Sequence, residues 1–260
     1  MPTGKKYTKR TGTGMRRYKR NTHYSASKIQ AVVRRALAKN IETKQGLATP
    51  TDAGEISHNN FVIISSNPLA TINGTNEPNN TIGQRIGDEI NLKGMSLKFM
   101  AELNERYSDV TFKLFIVKSA KGDVPTSATM FNGISGNKMI DTFNRERYTK
   151  IHSQTFKIKA PNNSTFAGRY TLSGSDSGIN YKGDPSEQLS RATKIVKVWV
   201  DGSKFVKGGQ VQYENGTSQV KFYDYHILLY AYSNYSTSSV GGWYVARLND
   251  AVIQLYYKDA

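Results

Sequence analysis

Cysteine is absent from the 260 residues of this chain. Disulfides and thiolate metal sites are therefore excluded, and packing has to stabilise the fold. No apolar run approaches the length of a membrane-spanning helix, and no apolar segment of a secretory signal follows the basic start of the chain. We therefore expect a soluble protein that is made in the cytosol and does not insert into membranes.

Acidic residues are missing from the first forty positions. This segment carries twelve of the 36 basic residues, which leaves 24 basic and 20 acidic residues in the other 220. The net charge of +16 thus divides into +12 on the segment and +4 on a nearly balanced body. Because like charges repel and residues 1–24 contain few apolar groups, we expect a disordered arm that orders on a polyanion.

The arm is predicted to bind nucleic acid. Its tyrosines can stack on unpaired bases, whereas residues 1–24 lack the Trp, Phe and Leu side chains that would enter lipid. The residues assigned to nucleic-acid binding are Lys5, Lys6, Lys9, Arg10, Arg16, Arg17, Tyr18, Lys19, Arg20, Lys28, Arg34, Arg35 and Lys39. A tail that only keeps the protein soluble or directs it to the nucleus is the simpler alternative. A nuclear localisation signal is indicated by Arg16, Arg17, Lys19 and Arg20.

Residues 25–39 predict a short basic amphipathic helix. Apolar residues with the spacing of one helical face are Ile29, Val32, Val33, Ala36 and Leu37. The helix could lie between a protein surface and phosphates, or pack on its own domain with its cations in solvent. From Gln45 the composition turns to Gly, Thr, Pro and Asp, so we interpret residues 41–54 as a linker to a folded domain at 55–260.

The sequence of the folded domain predicts β-strands separated by long polar loops. Residues 90–103 alternate between apolar and polar side chains, and residues 110–118 predict a partner strand across the turn at 104–109. Further strands are predicted within residues 55–66, 147–159, 193–201, 221–233 and 244–258.

Three finer features are expected in this domain. The second half of residues 221–233 is apolar on both faces, so it should be covered on both sides. Asn249 and Asp250 suggest a bulge. Short helices are expected near residues 127–131 and 138–143. Seven to eight strands with hardly any helix predict an all-β fold, two packed antiparallel sheets of jelly-roll type.

Catalysis has little support in the sequence. The four histidines, at positions 23, 58, 152 and 226, stand far apart and form no metal-binding spacing. Asp224 and His226 share one face of a strand, but no nucleophile motif accompanies them, so we interpret them as a structural pair. We expect no enzyme activity, no metal site and no cofactor.

Three segments resemble a known family. Residues 81–99 (TIGQRIGDEINLKGMSLKF) contain the string Ile-Gly-x-x-Ile-x-Leu-Lys-Gly entering a strand, and residues 224–235 (DYHILLYAYSNY) and 244–259 (YVARLNDAVIQLYYKD) lie near the end of the chain. With the basic arm, these segments resemble the capsid proteins of circular Rep-encoding single-stranded DNA viruses, the circovirus-like group. The resemblance touches about a third of the chain in the correct order, although this arm is less rich in arginine than in many relatives.

The resemblance implies a single viral jelly roll of eight strands that self-assembles into a small icosahedral shell of T=1 type. It further implies an arm that faces the interior and packages a circular single-stranded DNA genome. A host nuclear import receptor would carry the subunit to the host nucleus before it enters the virion. Two alternatives stay open, a capsid protein of a small RNA or satellite virus and a cellular nucleic-acid-binding β protein that never assembles.

Overall fold

A computed structural model of the chain describes residues 26–40, 42–48, 54–74, 84–104, 107, 109–133, 135–159, 170–172, 179–181, 192–233 and 244–260. The chain divides into two units, Met1–Ile41 and Glu42–Ala260. In the first unit the helix α1 spans Ala26–Asn40, within one residue of its predicted bounds. Its apolar residues Ile29 and Val32 are exposed.

The second unit is built from strands. In chain order they are β1 (Lys44–Ala48), β2 (Glu55–Ile56), β3 (Asn60–Ser66), β4 (Glu89–Leu103), β5 (Asp109–Ala120), β6 (Phe131–Asn132), β7 (Thr142–Phe143), β8 (Thr149–Lys159), β9 (Tyr170–Leu172), β10 (Ile179–Tyr181), β11 (Thr193–Asp201), β12 (Gln210–Gln212), β13 (Tyr223–Ser233) and β14 (Ala246–Asp259). A four-residue helix, α2 (Gly202–Phe205), follows β11, and 3-10 turns span Pro68–Thr71 and Lys207–Gly209.

The strands form two antiparallel sheets. The first sheet has the order β1-β14-β4-β11, with β2 added to β14 and β12 added to β4. The second sheet has the order β3-β13-β5-β8. Two short hairpins, β6-β7 and β9-β10, stand apart from them.

The strand order is that of a jelly roll. When β1 and β2 are counted as one strand along β14 and the three-residue β12 is left out, the two sheets contain eight main strands. The first then pairs with the eighth, the second with the seventh, the third with the sixth and the fourth with the fifth. This is the wrapping of a double-sheet jelly roll, and the predicted all-β sandwich is confirmed.

The main core lies between the sheets. On β4 the predicted alternation is confirmed, because Met95, Leu97 and Phe99 are buried while Lys98 is exposed. The ring of Phe156 on β8 stacks on Phe112 of β5 at a centroid distance of 5.1 Å and also contacts Phe99 across the sandwich. Aromatic side chains therefore fill the centre of the space between the two sheets.

A second, smaller cluster covers the other side of β13. Leu228 and Tyr230 point away from the main core and pack with Phe115, Phe131 and Tyr148. The second half of β13 is thus buried on both faces, as its apolar pattern predicted. The predicted bulge is also confirmed, since the register of β14 shifts between Leu248 and Asp250.

Three sequence predictions are wrong. Residues 44–48 are not linker but strand β1, because they hydrogen-bond along the edge of β14. β4 and β5 are not paired in a hairpin; the chain passes from one sheet to the other between them, which is how a jelly roll connects successive strands. In the described part of residues 126–143 there are turns and the hairpin β6-β7 instead of helices, because Phe131 packs against Phe115 and Tyr230.

Candidate nucleic-acid interface

Most of the predicted arm lies outside the described residues. This holds for Lys5, Lys6, Lys9, Arg10, Arg16, Arg17, Tyr18, Lys19 and Arg20. Arg34, Arg35 and Lys39 belong to α1, but their side chains lie outside the described part as well. Lys28, on the first turns of α1, is exposed. The assignment of these residues to nucleic acid therefore stays a prediction from charge.

Lys44, the first residue of β1, is fixed by an ion pair and a hydrogen bond. The ammonium group of Lys44 lies 2.5 Å from a carboxylate oxygen of Asp259, near the end of β14, and donates to the carbonyl oxygen of Gln84 at 3.1 Å. The other carboxylate oxygen of Asp259 accepts a hydrogen bond from the backbone N–H of Ile86 at 3.1 Å. This group, which we call the anchor cluster, joins three separate stretches of chain at the edge of the first sheet.

Arg85, beside the anchor cluster, is almost completely buried. Its guanidinium donates to the carbonyl oxygens of Gly87 and Thr217 and to the carboxylate of Asp88, and it lies 4.1 Å above the centre of the Tyr213 ring. A planar fork of donors can hold two loops together in this way. No sequence pattern indicated that this arginine is buried, since one of its acceptors, Thr217, lies 132 residues further on in the chain.

A second candidate surface is the outer face of the first sheet, the side turned away from the core. Its exposed or half-exposed side chains include Leu47, Lys98, Ile195, Lys197, Trp199, Val252 and Tyr256. The alternation in residues 193–201 predicts that Ile195 and Trp199 lie on the opposite side of β11 from its valines, and the burial pattern of the strand shows this arrangement. Lys98 and Lys197 were not predicted as binding residues.

Trp199 packs against the sheet although half of its surface is exposed. Its indole lies over Gly94 of β4, where an added Cβ would be 2.3 Å from the ring. The indole N–H donates to Asp201 at 2.9 Å, and the Tyr256 ring lies 5.4 Å away between centroids. A fixed aromatic ring with one open side can accept another flat group by stacking.

Two lysines face each other beside this ring. Lys98 of β4 and Lys197 of β11 are directly opposite in the antiparallel register, and both are exposed. Like charges in this position destabilise a sheet. In the described part of the chain, no carboxylate forms an ion pair with either ammonium group. The pair is therefore a local concentration of positive charge halfway along β11, the edge strand of the first sheet.

Asp224 and His226, interpreted from the sequence as a structural pair, each have hydrogen-bond partners elsewhere in the fold. Asp224 accepts hydrogen bonds from the side chain of Asn67 at 2.9 Å and from the backbone of Gly122 at 2.6 Å. The two ring nitrogens of His226 lie 3.3 Å from the Ser66 hydroxyl and 3.2 Å from that of Ser119.

The buried His226 makes stability depend on pH. Burial lowers the pKa of His226 below 6.5, against the weaker opposing effect of Asp123 and Asp224. Below about pH 6.5 the unfolded chain binds a proton that the folded chain excludes, so stability is full above this pH and falls below it. We expect the urea midpoint to be lower at pH 5 than at about pH 7.5. Each unit by which folding lowers the pKa corresponds to a loss of about 1.4 kcal/mol in the free energy of unfolding.

His58 and His152 also have lowered pKa values, because both are partly buried. The variant His226→Gln separates their effect from that of His226. It should show a lower urea midpoint at neutral pH and a flatter dependence of stability on pH than the parent chain. An unchanged slope in this variant would assign the pH effect to the other two histidines.

Within the described ranges, no group of three His, Asp or Glu side chains is placed to hold a metal ion. No helix in the same ranges is both long and apolar enough to cross a membrane. No protein-family model matches the chain, and no curated protein matches it. A functional proposal therefore depends on the charge distribution, the fold and the surface chemistry.

Proposed function

We propose that this chain is a viral capsid protein that assembles with copies of itself into a small icosahedral shell of T=1 type and packages a circular single-stranded DNA genome. Its role is structural, without catalysis or cofactor. The observation that carries the proposal is the separation of charge: twelve cations and no acids in residues 1–40, joined to a body with a net charge of +4.

This separation suits a container for a polyanion. Cations on a tethered segment can follow an irregular phosphate backbone, whereas a nearly neutral body can pack against copies of itself without strong repulsion. If about sixty subunits each contribute a net charge of +16, they neutralise on the order of a thousand phosphates. That is the scale of a small viral genome.

The jelly roll supports the proposal without establishing it, because one fold hosts many functions. The segments that resemble circovirus-like capsid proteins form β4, β13 and β14, which are inner strands of the two sheets. Nuclear import through Arg16, Arg17, Lys19 and Arg20 and a host import receptor belongs to the same proposal, with the virion and the host nucleus as locations.

Electron microscopy of the purified full-length chain, with and without single-stranded DNA, tests the proposal. We expect closed particles of uniform size, from which nuclease-sensitive nucleic acid can be extracted and typed. Circular DNA would support the proposed genome, and RNA would favour a small RNA or satellite virus. A chain that stays monomeric at high concentration with either nucleic acid would overturn the capsid assignment and favour a cellular binding protein.

A further inference from the structure

The outer face of the first sheet combines aromatic rings and cations in adjacent rows. Across β4 and β11 one row contains Lys98 and Lys197, and the next contains Ser96 and Trp199. Rows on one face of a sheet are about 6.6 Å apart along the strand. A single nucleotide can therefore contact a lysine with its phosphate and the indole with its base.

The charges on this face are not uniform. Toward one end of the strands lie Asp250 and Glu102, together with the exposed Arg247 opposite Glu102. Glu102 also accepts a hydrogen bond from Asn249. At the other end lies Asp201, which accepts a hydrogen bond from the indole N–H of Trp199. The two opposed lysines occupy the middle. An anion placed between them would relieve their mutual repulsion, which no described carboxylate does.

The position of the face in the chain also fits a polyanion. β1, at the edge of the first sheet, begins at Lys44, so three residues separate the end of the basic helix α1 from this sheet. Because this connection is short, a nucleic acid held by residues 1–40 is kept at high local concentration around the second unit.

We propose that the outer face of the first sheet is a second contact surface for single-stranded nucleic acid, on which Trp199 stacks on a base and Lys98 and Lys197 contact phosphates. The inference rests on the proposed function, because it concerns the same packaged strand. A second copy of this face is a poorer occupant, since a symmetric contact would bring two further lysines against the first pair. Duplex DNA is excluded from the stacking contact because its bases are already paired and stacked.

Fluorescence of the full-length chain tests the stacking contact. The chain has two tryptophans, so the variant Trp243→Phe leaves Trp199 as the remaining emitter. Titration with oligodeoxythymidylate is expected to quench this emission to saturation. Measured by the anisotropy of a labelled oligonucleotide, Trp199→Leu should weaken binding about tenfold at a salt concentration where the arm alone binds weakly.

Gly94→Ala provides a second variant that retains the indole. Its added Cβ would overlap the Trp199 ring, which must swing away from its place on the sheet. We expect reduced quenching and an affinity close to that of Trp199→Leu. The matched aromatic control is Phe222→Leu, since this ring is 55% exposed and has Lys221 above it but lies off the face. Its affinity should equal that of the parent.

The lysines are tested by the salt dependence of binding. Lys98→Gln with Lys197→Gln should flatten the slope of log affinity against log salt by about 1.4, the value for two phosphates on a single strand. The control pair Lys150→Gln with Lys159→Gln removes two exposed lysines from β8 in the second sheet and should leave the slope unchanged.

The outcomes separate the two proposals. Binding of the oligonucleotide with unquenched Trp199, and with equal affinity in Trp199→Leu, would overturn the stacking surface and leave the capsid proposal standing. A parent chain that binds no single-stranded nucleic acid would overturn both. If Trp199→Leu changes sedimentation of the free protein but not its affinity for the oligonucleotide, the face is an interface between copies and the inference is wrong.

Discussion

Removal of residues 1–40 is expected to abolish most of the affinity for single-stranded DNA while the jelly roll remains folded. The segment holds twelve cations, and each phosphate neutralised on a single strand contributes about −0.7 to the slope of log affinity against log salt. The full-length chain should therefore show a slope near −8, and the truncated chain a much shallower one. Titrations at several salt concentrations measure both slopes.

The body should tolerate this deletion because, among the residues that the structure describes, no buried core residue precedes Ala48. Circular dichroism and the thermal midpoint of the truncated chain check this point. A matched control keeps the length and composition of residues 1–40 but scrambles their order; it should bind as the parent does, because phosphate neutralisation depends on charge and not on sequence. A truncated chain that binds with the parent's affinity and slope would refute the arm assignment.

Arg85→Ala is expected to lower the free energy of unfolding by about 3 kcal/mol. The loss follows from the carbonyl groups of Gly87 and Thr217, which would remain without their donor, and from the lost contact with the Tyr213 ring. Asp88 adds little to this loss, because its side chain is 43% exposed and water can solvate it. Urea unfolding of the parent and the variant measures the difference.

Two further variants make this experiment specific. Arg85→Lys retains the charge but has no planar fork for both carbonyls, so its stability should lie between those of Arg85→Ala and the parent. Arg147→Ala removes an exposed arginine whose guanidinium donates to both oxygens of Asp123, and its midpoint should stay close to the parent value. Equal midpoints for Arg85→Ala and Arg147→Ala would show that the buried guanidinium does not hold the two loops together.

Local patterns predicted the faces of individual strands well. The alternation on β4 and the valines of β11 identified the side that faces the core, because successive side chains of a strand point to opposite faces. The continuous apolar run of β13 correctly predicted cover on both sides. The spacing in α1 likewise predicted a helix within one residue of its bounds.

Which strands pair with each other was harder to predict from the sequence. The proximity of β4 and β5 in the chain suggested a hairpin, yet β5 pairs with β8 and β13 in the other sheet. The short polar segment around Gly46 resembled a linker because an edge strand needs few apolar residues. Most of the contacts that decide such pairings are distant in sequence, and a period-two pattern does not specify its partner.

The candidate sites divide in the same way. The charge imbalance of residues 1–40, the expected absence of a catalytic motif and the inward sides of the strands can be read along the chain, because each depends on composition or on neighbours a few residues away. The juxtaposition of Lys98 with Lys197, the seat of Trp199 on Gly94 and the burial of Arg85 arise from packing between segments about a hundred residues apart. Such contacts form only when the strands have paired in one register. Hydrogen bonding between strands and the packing of the core, rather than local propensity, determine which strands pair.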